Sequence, residues 1–140
     1  MIKIYRPCRT NLICQTYGVT GTIPSMIPFY NKIGLKAHTG FDFTVACKDN
    51  QVRHGGQCEQ LYANVIGSGD LTVTYVARTE ESGYGIIAID EMWNKFLWWH
   101  FDIIDPLIYV GKKLKLGDVL GVAGNTGMSF GSHCHFEYHP

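Results

Sequence analysis

Two short runs hold the residues best suited to chemistry: His38-Thr39-Gly40-Phe41-Asp42 and His133-Cys134-His135. Histidine and aspartate are ligands of zinc, and histidine changes charge nearest neutral pH. In the second run, Cys134, Phe136 and Tyr138 mark a strand with one buried face. Residues two apart on a strand point the same way, so His133 and His135 project together, about 6–7 Å apart at the backbone. Both ligate one metal, or one ligates while the other contacts the substrate or a water; the residues alone leave this open. Cys134 points to the opposite face and packs.

In the first run, an ideal strand separates His38 from Asp42 by about 13 Å, too far for one zinc with ligands at about 2.0–2.2 Å. Gly40 permits a bend or bulge that closes the gap. A histidine, an aspartate and a second histidine make three protein ligands, and three with an open fourth position is the arrangement of a catalytic zinc. Water in that position has its pKa lowered to about 7, next to a polarised carbonyl. A single histidine is most often a surface or hydrogen-bonded residue, and His-x-His is a short motif with false positives. The combination, not either motif, carries the argument.

Positioning these residues falls to strands. Short runs rich in Val, Ile, Phe, Trp and Thr alternate with Gly/Asn/Asp turns at 41–45, 71–77, 85–89, 96–101, 119–123 and 133–138. No window has helical periodicity; 90–99 is too aromatic, and Asn94 reads as a turn between two strands. The expected class is an all-β antiparallel sheet or sandwich with few or no helices. Turns are expected at 67–70, 116–118 and 124–127, and an exposed loop at 48–60. Residues 1–140 are expected to form one domain, with 1–15 an arm or edge strand.

The chain has 140 residues, 46% hydrophobic and 17% charged, which is enough for a real core. Twelve basic and twelve acidic residues cancel. No basic stripe points to nucleic acid, and no polybasic patch points to anionic lipid. The N-terminus lacks the apolar region of a signal peptide, and no stretch approaches a membrane span, so no membrane insertion is expected. A monomer is the expected form. Five cysteines leave at least one unpaired in a monomer; Cys47 with Cys58 and Cys8 with Cys14 are the pairs that could bridge, and free, partly buried thiols are the expectation.

The run from Gly111 through Gly127, followed by Gly131-Ser132-His133-Cys134-His135-Phe136-Glu137, resembles the signature of the lysostaphin-like (LytM-like) zinc metallopeptidases, endopeptidases of peptidoglycan. So does His38-Thr39-Gly40-Phe41-Asp42. Gly83-Tyr84-Gly85 resembles that family's Tyr-Gly strand, and His100 in Trp98-Trp99-His100-Phe101 stands where the family has an isolated histidine. The likeness runs in order from about Tyr17 to Tyr138. It implies a duplicated hybrid fold of the LytM type. It also implies one zinc held by His38, Asp42 and His135, with His133 and His100 as catalytic histidines. The implied reaction is hydrolysis of an amide bond in peptidoglycan peptides. A phage lysin or tail-associated enzyme is compatible with the chain, made in the cytoplasm and acting on the wall after release or delivery. The rival class is a zinc-bearing scaffold or wall-binding module without activity. Cys134 and the 47–58 stretch depart from the family pattern, and His54 and His139 match none of its positions; both are expected to be ordinary surface histidines.

Overall fold

In the computed structural model, which describes residues 6–8, 13–18, 27–44, 60–62 and 71–140, the β-rich runs become antiparallel strands. Among the described residues these are β1 (Ile13–Gln15), β2 (Phe41–Thr44), β3 (Gln60–Tyr62), β4 (Leu71–Thr79), β5 (Gly83–Ile89), β6 (Lys95–Ile104), β7 (Lys113–Leu114), β8 (Val119–Ala123) and β9 (His133–His139). One short helix, α1 (Ile27–Lys32), lies between β1 and β2. Pro28 sits in its first turn, where a missing N–H costs nothing. Six residues are too few to display a helical period, which is why α1 is invisible in the hydrophobic pattern. No helix of the described residues is long and apolar enough to cross a membrane.

The all-β expectation holds. β8 coincides with the expected 119–123, and the other expected strands shift by one to three residues at their ends. β3 and β7, with three and two residues, carry too little alternation to be seen in sequence. The expected turn at 67–70, His54 and most of the expected 48–60 loop lie outside the described residues.

The sheet runs β1-β2-β9-β6-β5-β4-β7, with β3 on β8 and β8 on β6. At its centre β4, β5 and β6 form a meander. Alternate residues of these strands and of β9 build the core: Leu71, Val73, Ile86, Ala88, Phe96, Trp98, Cys134 and Phe136 are all buried. Asp90 closes the β5–β6 hairpin, its carboxylate accepting from the Met92 N–H (2.8 Å) and from both the backbone (2.9 Å) and side-chain (2.6 Å) N–H groups of Asn94. The turn expected at Asn94 is therefore present, and Trp93 stands exposed on it at φ 66°. The aromatic run divides between the two faces: Phe96 and Trp98 enter the core, while Trp99 lies over Gly85 on the other face.

One feature of β6 positions the site. Its first half, Lys95 to Trp99, pairs with β9; its second half, from Phe101, pairs with β8 on the same edge. The strand changes partner at His100, whose φ is 68°. Left-handed backbone costs an L-residue roughly 1–2 kcal/mol, and here it bends the strand so that β8 and β9 meet, joined by a bridge between Gly124 and His133.

Trp98 is fully buried, and its Nε1–H finds no acceptor among the described residues. Trp98→Ala is expected to cost about 3–5 kcal/mol in urea unfolding. Trp98→Phe, which keeps a ring and removes the unsatisfied donor, is expected to cost clearly less. Equal losses would show that the indole N–H has a partner.

Candidate metal centre

β2 and β9 pair so that Asp42 lies directly opposite His135, and Thr44 opposite His133. On β9 the core-facing side chains are Cys134, Phe136 and Tyr138, leaving His133, His135, Glu137 and His139 on the other face. His38 precedes β2 in an irregular stretch held from behind by the segment after β1: the Gly18 N–H donates to the His38 carbonyl (2.9 Å), and His38 Nδ1–H donates to the Thr16 carbonyl (3.1 Å). A bend at Gly40 turns the chain from His38 into β2. The glycine is needed for space as well as for the bend. A Cβ there would overlap the Phe136 carbonyl and lie 2.9 Å from His135 Nε2.

Three atoms then converge. His38 Nε2 is 3.0 Å from Asp42 Oδ1 and 3.0 Å from His135 Nδ1, and His135 Nδ1 is 2.9 Å from Asp42 Oδ1. All three residues are buried. The other nitrogens of the two rings settle what this triangle contains. The Thr16 carbonyl only accepts, so His38 carries its hydrogen on Nδ1 and a lone pair on Nε2. His135 Nε2 donates to Glu137 Oε1 (2.9 Å), which leaves a lone pair on Nδ1. Two imidazole lone pairs and a carboxylate oxygen thus point at one another in a buried space. That arrangement repels itself unless something positive sits within it.

The ionisations carry the same message. Burial raises the Asp42 carboxyl, but the His135 ring, which donates Nδ1–H to it when that ring is charged, and the adjoining His38 ring overcome this and hold the group well below the usual carboxylate range. Burial lowers the His135 imidazole, but hydrogen bonds to Asp42 and Glu137 carry it up to about 9. Burial likewise raises Glu137, and its bonds from His135, His139 and Thr39 bring it below its ordinary value. Without a metal, a proton on His135 supplies the positive charge, and a cation competes for that place.

His133 and His100 flank the triangle. Their rings lie 4.7 Å apart, His100 is 6.0 Å from the His135 ring, and His133 Nε2 is 3.5 Å from Asp42 Oδ1. Each gives its Nδ1–H to a backbone carbonyl, His133 to Gly131 (2.7 Å) and His100 to Thr126 (2.8 Å). Each therefore keeps a lone pair on Nε2. Burial, then the charge of His133, depresses His100 to about 3; burial depresses His133 as well. Both rings are neutral at pH 7, each with its Nε2 lone pair free of a proton.

The fold and site can be set beside known proteins. No family model matches the chain. An uncharacterized metalloprotease of Haemophilus influenzae is 27% identical over 105 residues, a stretch covering 75% of this chain. The chain spans about a fifth of that relative's length, 19%. The catalytic domain of the antimicrobial peptidase lysostaphin from Staphylococcus simulans superposes with a TM-score of 0.55 at 20% identity, covering 74% of this chain and 67% of that one. A zinc-containing peptidase from Vibrio cholerae gives 0.57 at 23% identity, over 98% of this chain and 33% of that one. The chain has the lysostaphin-like peptidase fold. The resemblance read from the sequence is borne out at that level.

Within this lysostaphin-like fold, His38, Asp42, His100, His133 and His135 are brought together. His139 is exposed, as expected of a surface histidine, and its Nε2 also lies 2.6 Å from Glu137 Oε2, so it joins the chain of contacts behind His135. Sequence reasoning missed Glu137 and Thr39, whose hydroxyl donates to Glu137 Oε1 (3.0 Å). The period of two along His133-x-His135-x-Glu137-x-His139 was the available signal. Thr16 and Thr126 act through backbone carbonyls from distant segments and leave no such mark.

The strained backbone of His100 yields a test free of any metal. His100→Gly is expected to be more stable than His100→Ala by about 1 kcal/mol in urea unfolding, because only glycine occupies φ 68° without cost. Equal stability would mean that the left-handed bend is not kept in the variants.

Proposed function

We propose that this domain, residues 1–140, is a zinc-dependent endopeptidase that hydrolyses amide bonds in the peptide stems or cross-bridges of bacterial peptidoglycan. The observation that carries the reading is the triangle of buried lone pairs formed by His38 Nε2, Asp42 Oδ1 and His135 Nδ1. Ligands about 2.0–2.1 Å from a tetrahedral zinc stand about 3.3 Å apart, and sides of 2.9–3.0 Å need only a small expansion to match. Both rings also have the outer partner that a metal-ligating histidine ordinarily has, a carbonyl for His38 and a carboxylate for His135. The residues fit zinc. When bound, zinc supplies Lewis acidity toward the amide carbonyl and toward water at neutral pH.

His133 and His100 do the proton work. Their Nε2 lone pairs lie on the two rings beside the triangle, fixed by the carbonyls of Gly131 and Thr126. One of them takes a proton as a water oxygen bonds to the scissile carbonyl carbon. The resulting imidazolium stands where negative charge develops on the carbonyl oxygen and stabilises it. As the C–N bond breaks, the proton passes to the departing amine and the histidine returns to its neutral form. Two neutral bases of one tautomer, 4.7 Å apart, allow one to orient the water while the other transfers the proton.

The substrate class is supported by the fold's likeness to a peptidase named as antimicrobial. The neutral net charge offers nothing to nucleic acid. We place the site of action at the cell wall, reached after release or delivery, with a phage lysin or tail-associated enzyme as the setting and a monomer as the working form.

Near-equimolar zinc and release of peptide fragments from purified cell walls are expected, with both lost in His135→Ala. Walls with D-Ala cross-links and walls with glycine bridges should be compared, and the product masses name the bond. Zinc with no cleavage of either wall would favour a scaffold; no zinc at all would remove the basis of the proposal. Glu137→Ala, which strips the His135 Nε2–H of its acceptor, is expected to weaken zinc affinity about 10–100-fold in chelator competition. An unchanged affinity would count against His135 as a ligand through Nδ1.

A further inference from the structure

His100 is held by more than its own strand. It is a non-glycine residue at φ 68° in mid-strand, at the point where β6 changes partner, and its ring direction must be fixed from outside. Thr126 does this from the loop after β8. Its hydroxyl donates to the Phe101 carbonyl (2.6 Å) and accepts from the Tyr84 N–H (3.1 Å), so one side chain ties the loop to β5 and β6 together. Its own carbonyl receives the His100 Nδ1–H at 2.8 Å.

The surroundings leave the loop little freedom. A Cβ on Gly83 would overlap the Thr126 backbone and hydroxyl, so the β4–β5 turn abuts the residue directly. Two residues on, the Met128 N–H donates to the Glu81 carbonyl (2.7 Å). His133 is held within its own loop instead: its Nδ1–H is taken by the carbonyl of Gly131, and the Ser129 hydroxyl, which donates to that carbonyl, lies 3.2 Å from the same nitrogen.

We propose that Thr126 is the positioning residue for His100: its hydroxyl, spanning Phe101 and Tyr84, fixes the carbonyl that keeps the His100 ring as the Nδ1–H tautomer with the Nε2 lone pair turned to the substrate side. A hydroxyl is required because only a group that donates and accepts at once can satisfy both strands. A carbonyl is required because an acceptor-only partner excludes the other tautomer. The catalytic consequence rests on the peptidase reading; the tautomer does not.

The test uses the full chain loaded with zinc, as wild type, Thr126→Val and Thr126→Ser. Valine keeps the shape and removes the hydroxyl; serine keeps the hydroxyl. Long-range nitrogen–proton NMR of the imidazoles, with His100 assigned by its absence in His100→Gln, reads the tautomer directly. Wild type and Thr126→Ser are expected to be Nδ1–H, and Thr126→Val a mixture. Kinetics use a pentaglycine peptide and a D-Ala cross-linked stem-peptide dimer. On the peptide that wild type cleaves, Thr126→Val is expected to lose kcat at least tenfold with KM within about twofold, and Thr126→Ser to stay within about twofold in both.

A loss of stability alone, with one tautomer and full kcat in the folded valine variant, would overturn the proposal. So would serine losing as much as valine. A wild-type His100 found as Nε2–H would overturn it even if the valine variant does not fold. Cleavage of neither peptide by wild type would count against the peptidase reading, while the tautomer comparison would still decide the role of Thr126.

Discussion

The pairing of β2 with β9 is the constraint on which the site depends. Asp42 meets His135 because Phe43 meets Cys134 and Phe41 meets Phe136 in the same ladder. A slip of one residue would send every side chain of one strand to the opposite face. It would bring the β9 histidines opposite Phe41 or Phe43 and put Asp42 opposite a core residue. Burial of Cys134 and Phe136 makes that slip costly. The register of the triangle is thus enforced by apolar packing on the other side of the strand. β9 is also paired along its other edge to β6, so the triangle inherits the rigidity of the central sheet.

That rigidity holds an electrostatic demand. A carboxylate and two imidazole lone pairs inside one small buried space need a positive charge between them. The upward shift of His135 to about 9 is how the chain alone meets that need. A divalent ion meets it better, because it satisfies three lone pairs at once and a single proton cannot. The ion also displaces a proton, so occupancy and local structure are linked. Glu137 has the complementary part: it draws the hydrogen of His135 to Nε2 and leaves Nδ1 free, and its second oxygen is in turn engaged by His139.

Much of this is legible in the residues, for a physical reason. Side chains on one strand face are related by a period of two, so the joint projection of His133 and His135 follows from spacing alone. The same rule extended to Glu137 and His139 places four polar groups in one row. A surface position for His139 is compatible with that row, because its half-exposed ring still reaches the Glu137 carboxylate. Gly40 was legible as a bend, but not as the residue whose missing Cβ makes room for the Phe136 carbonyl and the His135 ring, because that contact joins segments about a hundred residues apart. Thr16 and Thr126 were not legible. They act through carbonyl groups, which every residue has, and only tertiary structure chooses which carbonyl faces a ring. α1 and the shortest strands escaped for a different reason, being shorter than the periods that would reveal them.

The corner at His100 bears on what kind of site this is. A metal that only braced the fold would need the triangle, its outer hydrogen bonds and the β2–β9 register, and nothing more. It would not need β6 to leave β9 at a left-handed histidine, at a cost of roughly 1–2 kcal/mol. Nor would it need β8 to meet β9 at Gly124 and His133, which brings the His100 and His133 rings to 4.7 Å. Nor would it need both rings to give Nδ1–H to a carbonyl and so keep Nε2 as a base. On the proposed peptidase reading each of these features serves proton transfer beside the triangle, and none of them adds a ligand to it.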